Sequence, residues 1–479
     1  MTKYFTAAAA AIALACPAQA GQPPFGKKAA DIPISSRDRF YTSDQFSNTV
    51  SVIDPSANKL LGVIRLGDTT PANLSPLYRG QLLVHGMGFS PDRRTLLAVS
   101  IGSNSVTFID TATNKVKHTA YVGRSPHEAF FTPDGREVWV SIRGEDYVAV
   151  LDARTYKETR RIPVPNGPGM TIFSPDGRYG YVCSSFSPET VVIATRTKKI
   201  VGRVKQESPF CPDIAASPDG EQVWLTLKDI GRVMVFEARP PFRVLTSIAT
   251  GPITNHVNIV SNANGQFAYV TGGTENAVKV YRTDNFAQVA TIPVGSLPHG
   301  LWPSGDGTRI YVGLENGDAA VAIDTLANKV LASIPIGQGP QGVAYVPGAV
   351  PKGDGLANLS PLGLAGSKVL LTTSGTGRSQ ITLFDQGQIQ TLQAAVAGLS
   401  PGMPYVLALS ERPDGGGVLE PLAAFKTNPA GSAIVNAIGP IRQIVRSSSK
   451  DERRYLVVAP GSPDAPGPPV QVQDRDGSS

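Results

Sequence analysis

One short string governs what this chain can fold into: an apolar strand, Ser or Thr, then Pro-Asp-Gly, then another strand. It stands at Ser90-Pro91-Asp92-Arg93, Thr132-Pro133-Asp134-Gly135, Ser174-Pro175-Asp176-Gly177 and Ser217-Pro218-Asp219-Gly220. Looser copies follow at Ser261-Asn262-Ala263-Asn264-Gly265 and Ser304-Gly305-Asp306-Gly307. Pro presets the turn and Gly or Asn accepts a positive φ, so each copy predicts a hairpin. The flanking segments are short, β-branched and alternating, as in Ser105-Val106-Thr107-Phe108-Ile109-Asp110 and Ala277-Val278-Lys279-Val280-Tyr281. Four such strands in each unit of about 42 residues is the spacing of propeller blades.

The units close into a ring on paper. With the strands of a blade lettered a to d, strand a begins near residues 85, 127, 169, 213, 256, 299 and 341. The last, Gly342-Val343-Ala344-Tyr345-Val346, lacks strands b to d after it. The chain instead opens with an orphan b, c and d set: Phe40-Tyr41-Thr42, Thr49-Val50-Ser51-Val52-Ile53-Asp54 and Leu60-Leu61-Gly62-Val63-Ile64. Joining the two removes both open edges. The expected fold is therefore all-β, a seven-bladed propeller over residues 38–347 closed by N-terminal strands b to d and a C-terminal strand a.

Phe40-Tyr41-Thr42-Ser43, Tyr269-Val270-Thr271-Gly272, Ile53-Asp54-Pro55-Ser56-Ala57-Asn58-Lys59 and Ile109-Asp110-Thr111-Ala112-Thr113-Asn114-Lys115 resemble the YVTN-family β-propeller repeat. The resemblance implies the fold; propellers of this kind serve as surface proteins, binding modules, lactonase-like enzymes and metal-cluster carriers, so function must come from the site.

Residues 348–365 read as a Gly/Pro/Leu-rich linker, in which Ala357-Asn358-Leu359-Ser360-Pro361-Leu362 repeats Ala72-Asn73-Leu74-Ser75-Pro76-Leu77. Alternating strands return over 366–458 and predict a small β-sandwich. Its Gly398-Leu399, Pro401-Gly402 and Tyr405 resemble extracytoplasmic sandwich domains such as the outer domain of anti-sigma-K factors. Residues 459–479 carry Pro, Asp, Gly and Ser and predict a disordered tail.

Residues 1–20 read as an export signal: Lys3, an apolar run from Ala7 to Ala15, then Ala18-Gln19-Ala20 before the cut. Cys16 is placed where a lipoprotein cysteine would stand, but Ala13 occupies the position that usually holds Leu. The expected location is periplasmic or secreted, with no transmembrane segment after signal removal. Cys183 and Cys211 then remain, either as a disulfide between neighbouring blades or as soft metal ligands. Forty-four basic against 38 acidic residues give +6, with no basic tract, so nothing requires nucleic acid.

Four of the five histidines fall at one repeat position. His85, His127 and His299 stand seven residues ahead of the turn Asp, and His256 occupies the same slot; Gly169, Asp213 and Gln341 fill the rest. Strand a is innermost, so these seven positions should ring one mouth of the channel. Two readings stay open: a site for a metal, Zn or Cu, or a small polar or anionic ligand, or imidazoles copied with the repeat that only cap their loops. Propellers that carry copper clusters on axial histidines supply an analogy. Sheets about 10 Å apart give a ring of roughly 9 Å radius, which leaves one metal held by all four at the limit of reach and makes His85/His127 and His256/His299 the easier pairs. A second ring, at position four of the b-strand motif, holds Asp44, Gly102, Arg143, Ser185, Lys228, Gly273 and Glu315. The carboxylates near the mouth are Asp213, Glu128 and Glu315. Without a Gly-x-Ser-x-Gly elbow or a His-Glu-x-x-His helix, the favoured reading is a binding or scaffold protein that takes a small polar ligand, a metal or another extracytoplasmic protein. The alternative is a metal-dependent or lactonase-like hydrolase at the same mouth.

Overall fold

In the computed structural model, which describes residues 32–67, 82–363, 368–385, 390–439 and 453–474, every regular element is a strand. Residues 1–20 with Cys16, and the 72–77 copy, lie outside those residues.

The turn motif works as its composition predicts. The Ser174 hydroxyl donates to Asp176 Oδ1 (2.7 Å) and accepts from the Tyr179 N–H (3.0 Å), while Asp176 Oδ1 also accepts from the Arg178 N–H (3.0 Å). Gly177 completes the turn at φ 71°, a left-handed value that Arg93 must adopt (φ 65°) in the first copy. Each hairpin starts a four-stranded antiparallel sheet, and there are seven. Blade one is Val84–Phe89, Thr95–Ser100, Ser105–Asp110 and Val116–Tyr121. Blade seven pairs C-terminal Pro340–Val346 with N-terminal Arg39–Asp44, followed by Thr49–Asp54 and Lys59–Arg65, so the chain ends seal the ring.

The YVTN-like tyrosines staple neighbouring blades at the end opposite the mouth. Tyr269 of blade five donates to Asn328 Oδ1 (2.7 Å) of blade six. Tyr311 of blade six donates to the Pro55 carbonyl (3.0 Å) and Asn58 (3.0 Å) of blade seven. Trp139 and Trp224 take the tyrosine position in blades two and four and are fully buried.

The linker is not loose. Ala349 and Val350 are buried, Arg39 Nη2 donates to the Asp354 carbonyl (2.6 Å), and Ser360 and Val63 exchange backbone hydrogen bonds (2.8 and 2.9 Å). The C-terminal domain is one continuous sheet whose end strands, Leu419–Lys426 and Ala433–Gly439, approach each other, so the sandwich is a rolled, nearly closed sheet. Residues 459–474 belong to it and are not a disordered tail: Gln471–Gln473 pairs with Lys368–Gly375 and Tyr455–Ser462. Composition hides this because the strand's anchor is polar. Buried Gln471 accepts from Thr373 (2.9 Å) and Ser379 and donates to the carbonyls of Thr376 and Ala397 (2.9 Å each).

Candidate functional site at the histidine mouth

The slot residue stands at the start of strand a in every blade, as in Pro126–Phe131, Pro168–Phe173, Pro298–Pro303 and Pro340–Val346. Proline opens these strands, where a missing N–H costs no ladder bond. Just past the proline the pairing with strand b slips, between Val84 and Met87, Pro126 and Ala129, Thr254 and Val257, and Pro298 and Leu301. Such bulges re-aim a side chain, and here each falls on a histidine. Gly86, Gly300 and Gly342 follow their slots for a different reason. A Cβ there would overlap the carbonyl oxygen of His127, Gln341 and His85 respectively, so the innermost strands approach more closely than ordinary sheets.

The four imidazoles consequently meet. Ring centroids are 4.3 Å apart for His85 and His127, 4.5 Å for His256 and His299, and 6.1 Å for His85 and His299. All four are buried, at 3–6% exposure. His127 Nδ1 lies 2.8 Å from the Gly169 carbonyl and His299 Nδ1 3.2 Å from that of Gln341. A ring that donates from Nδ1 keeps Nε2 as an acceptor. His85 Nδ1 and His256 Nε2 have no hydrogen-bond partner. The fifth histidine, His118, stacks on Tyr156 (5.0 Å) outside the cluster.

Two carboxylates complete the ring. Glu128 Oε1 is 3.9 Å from His85 Nδ1 and its other oxygen accepts from the Met87 N–H (3.1 Å). Asp213 Oδ1 is 3.6 Å from His256 Nδ1 and its other oxygen accepts from the Val257 N–H (2.7 Å). Ligand atoms of His85, His127 and Glu128 all lie within 4.8 Å of one another. Two imidazoles and a carboxylate are a set that binds divalent transition metals with positions left open. Burial sets the protonation. It lowers His85 to about 3 and holds His127, His256 and His299 well below the usual imidazole value. It raises Asp213 to about 7 and pushes Glu128 well above the carboxylate range. The imidazoles are neutral, with lone pairs available.

The second ring lies at the same mouth, two residues further out. Pro126 pairs with Ile142, Ile214 with Leu225 and Pro298 with Leu314, which sets Arg143, Lys228 and Glu315 about 7 Å beyond the slots. Asp44 turns away, accepting hydroxyls from Thr42 (2.7 Å), Thr49 (2.8 Å) and Ser51 (2.7 Å) inside its own blade. Glu315 is held by Gln341 and by Gln393 of the C-terminal domain. That domain rests on blades four to six: Gln380 bonds Asn276 (2.7 Å) and Ser296 (2.5 Å), the Ala430 N–H reaches the Asp229 carbonyl (3.0 Å), and Ala395 and Ile434 pack on Ile253 and Leu297. A cavity of about 30 Å³ is lined by Glu128, Asp213 and His256 together with Met87, Phe130, Met170 and Trp302. Cys183 and Cys211 are joined as a disulfide linking blade three to the approach loop of blade four.

Sequence reading left Glu128 among the nearby carboxylates. Its signal was visible: the position after the slot is otherwise Gly or apolar. Gln393 had none.

Fold and repeat together define the class, a seven-bladed β-propeller whose repeats resemble the YVTN type. The family described as "Lactonase, 7-bladed beta-propeller" matches residues 108–325. Among solved structures, this chain is similar to a functionally unknown protein from Desulfotomaculum acetoxidans (14% identity, 64% of this chain and 98% of that one, TM-score 0.54). It is also similar to hydrazine synthase from Kuenenia stuttgartiensis (22%, 54% and 88%, TM-score 0.49). At 14% identity the likeness to the Desulfotomaculum acetoxidans protein is one of fold. No curated protein matches at the sequence level.

Proposed function

We propose that this is an exported binding protein that captures a divalent transition metal, Zn or Cu, at the histidine mouth. The observation that carries the reading is the convergence of four buried, neutral imidazoles on Glu128 and Asp213, with two ring nitrogens left without partners. Carbonyl bonds at Nδ1, as at His127 and His299, are the usual way to orient a liganding imidazole. Export is supported by the leader-like N-terminus and the disulfide, which belongs to an oxidising compartment. The C-terminal domain serves as a partial cap on the mouth, and as the surface offered to another extracytoplasmic protein.

Metal analysis of protein purified without a His tag tests this. About one Zn or Cu per chain is expected, falling at least tenfold in His85→Ala/His127→Ala. Sub-stoichiometric metal that does not change in the double variant overturns the reading. The lactonase family match favours a second reading, hydrolysis at the same mouth. Turnover of a lactone panel that disappears in His256→Ala would replace binding with catalysis.

A further inference from the structure

The outer ring holds two cations that the metal reading does not use. Arg143 projects from blade two and Lys228 from blade four. Arg143 lies against two aromatic faces, 5.7 Å from the Phe186 ring and 5.1 Å from that of Phe210. These faces orient the guanidinium, and its buried Nε has no hydrogen-bond partner. Among the described residues neither cation forms a hydrogen bond or close ion pair. Glu315, the acidic neighbour of Lys228, also accepts from the amides of Gln341 and Gln393. Asp44 is turned into its blade by three hydroxyls.

Between the two cations lies blade three, where the ring is made only of small residues, Gly169 in the slot and Ser185 outside it. Arg143 bears electrostatically on His85 and His127, and Lys228 on His85, His256 and His299. Both cations are partly exposed whereas the imidazoles are buried. A ligand arriving from solvent therefore passes Arg143, which has no acidic neighbour acting on it among the described residues, and Lys228, whose neighbour Glu315 is shared with two amides; the pair opposes a bare divalent cation and favours an anion.

We infer that Arg143 and Lys228 form a subsite for a small carboxylate or oxyanion, seated over blade three and facing the imidazoles. A planar guanidinium takes such a group through paired N–H donors, and the ammonium supplies a point charge. This rests on the metal reading in one respect: with a metal held at the histidine mouth, the anion would offset the repulsion between that metal and the two cations. Burial lowers the proton affinity of Lys228; Glu315 opposes that shift and Arg143 adds to it.

Calorimetric titration of the full-length protein, metal-free and Zn-loaded, with oxalate and separately with inorganic phosphate tests the subsite. Arg143→Gln and Lys228→Gln should each weaken binding about 10- to 100-fold with Zn content unchanged, and Arg143→Lys should recover part of the loss. Preference for oxalate identifies a carboxylate ligand, and preference for phosphate an inorganic oxyanion. If neither anion binds, or if both variants bind as tightly as the parent, the subsite is wrong. Zn content is read independently, so loss of the metal reading shows as absent Zn while anion binding still depends on Arg143 and Lys228.

Discussion

The two ends of the propeller carry equally regular polar repeats and treat them in opposite ways. At the turn end, each Ser or Thr and its Asp close a local circuit. Ser217 accepts the N–H of Gln222 (2.9 Å) and Thr132 that of Glu137 (3.1 Å), while Asp219 and Asp134 accept those of Glu221 and Arg136. At the mouth, His85 Nδ1, His256 Nε2 and Arg143 Nε are buried without partners. A buried polar atom left unpaired costs about 1–3 kcal/mol, and several in one place are tolerated where something else supplies the missing partner. Repetition therefore does not separate scaffold from site. Between the turn Ser/Asp pairs and the slot residues His85 and His256, hydrogen-bond satisfaction does.

The comparison breaks most readily at the staples. Tyr311→Ala empties a fully buried aromatic position between blades six and seven and should destabilise the fold by about 3–5 kcal/mol in urea unfolding, while any chain that still folds keeps its metal. Tyr311→Phe retains the packing, loses the bonds to Pro55 and Asn58, and should cost about 1 kcal/mol. If Tyr311→Phe abolished metal binding and left stability alone, the division between the two ends would be wrong. Within the turns, Ser217→Ala removes the acceptor for two backbone N–H groups and should cost about 1–2 kcal/mol.

The turn end was legible because its chemistry is local: Ser-Pro-Asp-Gly specifies its own hydrogen bonds, and counting turns counts blades. The ring of histidines was legible as a register. Its tightness was not, because a 9 Å radius assumes ordinary sheet spacing, whereas Gly86, Gly300 and Gly342 let neighbouring backbones approach until no Cβ fits between them. Those glycines stand directly after their slots, so the signal existed but concerned backbone contact, which no periodicity reports. Contact between Gln393 and Glu315 joins segments with no shared repeat, and the Gln471 strand is pinned by polar bonds that composition reads as solvation.

Asp44 sharpens the contrast through pH, since it lies in the outer ring yet is fully satisfied. Burial raises its carboxyl from 3.8 to about 7 against the opposing pull of three hydroxyls. The native state therefore keeps a proton that the unfolded chain releases near pH 4. Its contribution is fully present below that value and is lost as pH rises toward 7, with a limiting slope of about 1.4 kcal/mol per pH unit. Asp44→Asn should remove this component, so that urea-unfolding curves of parent and variant diverge between pH 4 and 7 in the variant's favour. Parallel curves would mean that the three hydroxyls outweigh burial and keep the carboxylate ionised.

The smallest expected effect separates the two readings of the histidines. An imidazole that only caps a loop should cost stability when removed. His256 is surrounded by His299, Asp213 and apolar channel residues, and its Nε2 makes no bond. His256→Leu in the metal-free protein removes that unpaired atom and keeps most of the volume, so stability should change by less than about 1 kcal/mol in either direction. The metal-loaded protein should respond differently, because ligand binding to the native state adds stability that the variant forfeits. A loss above about 2 kcal/mol in the metal-free protein would make His256 a structural residue and leave the mouth to His85, His127 and Glu128.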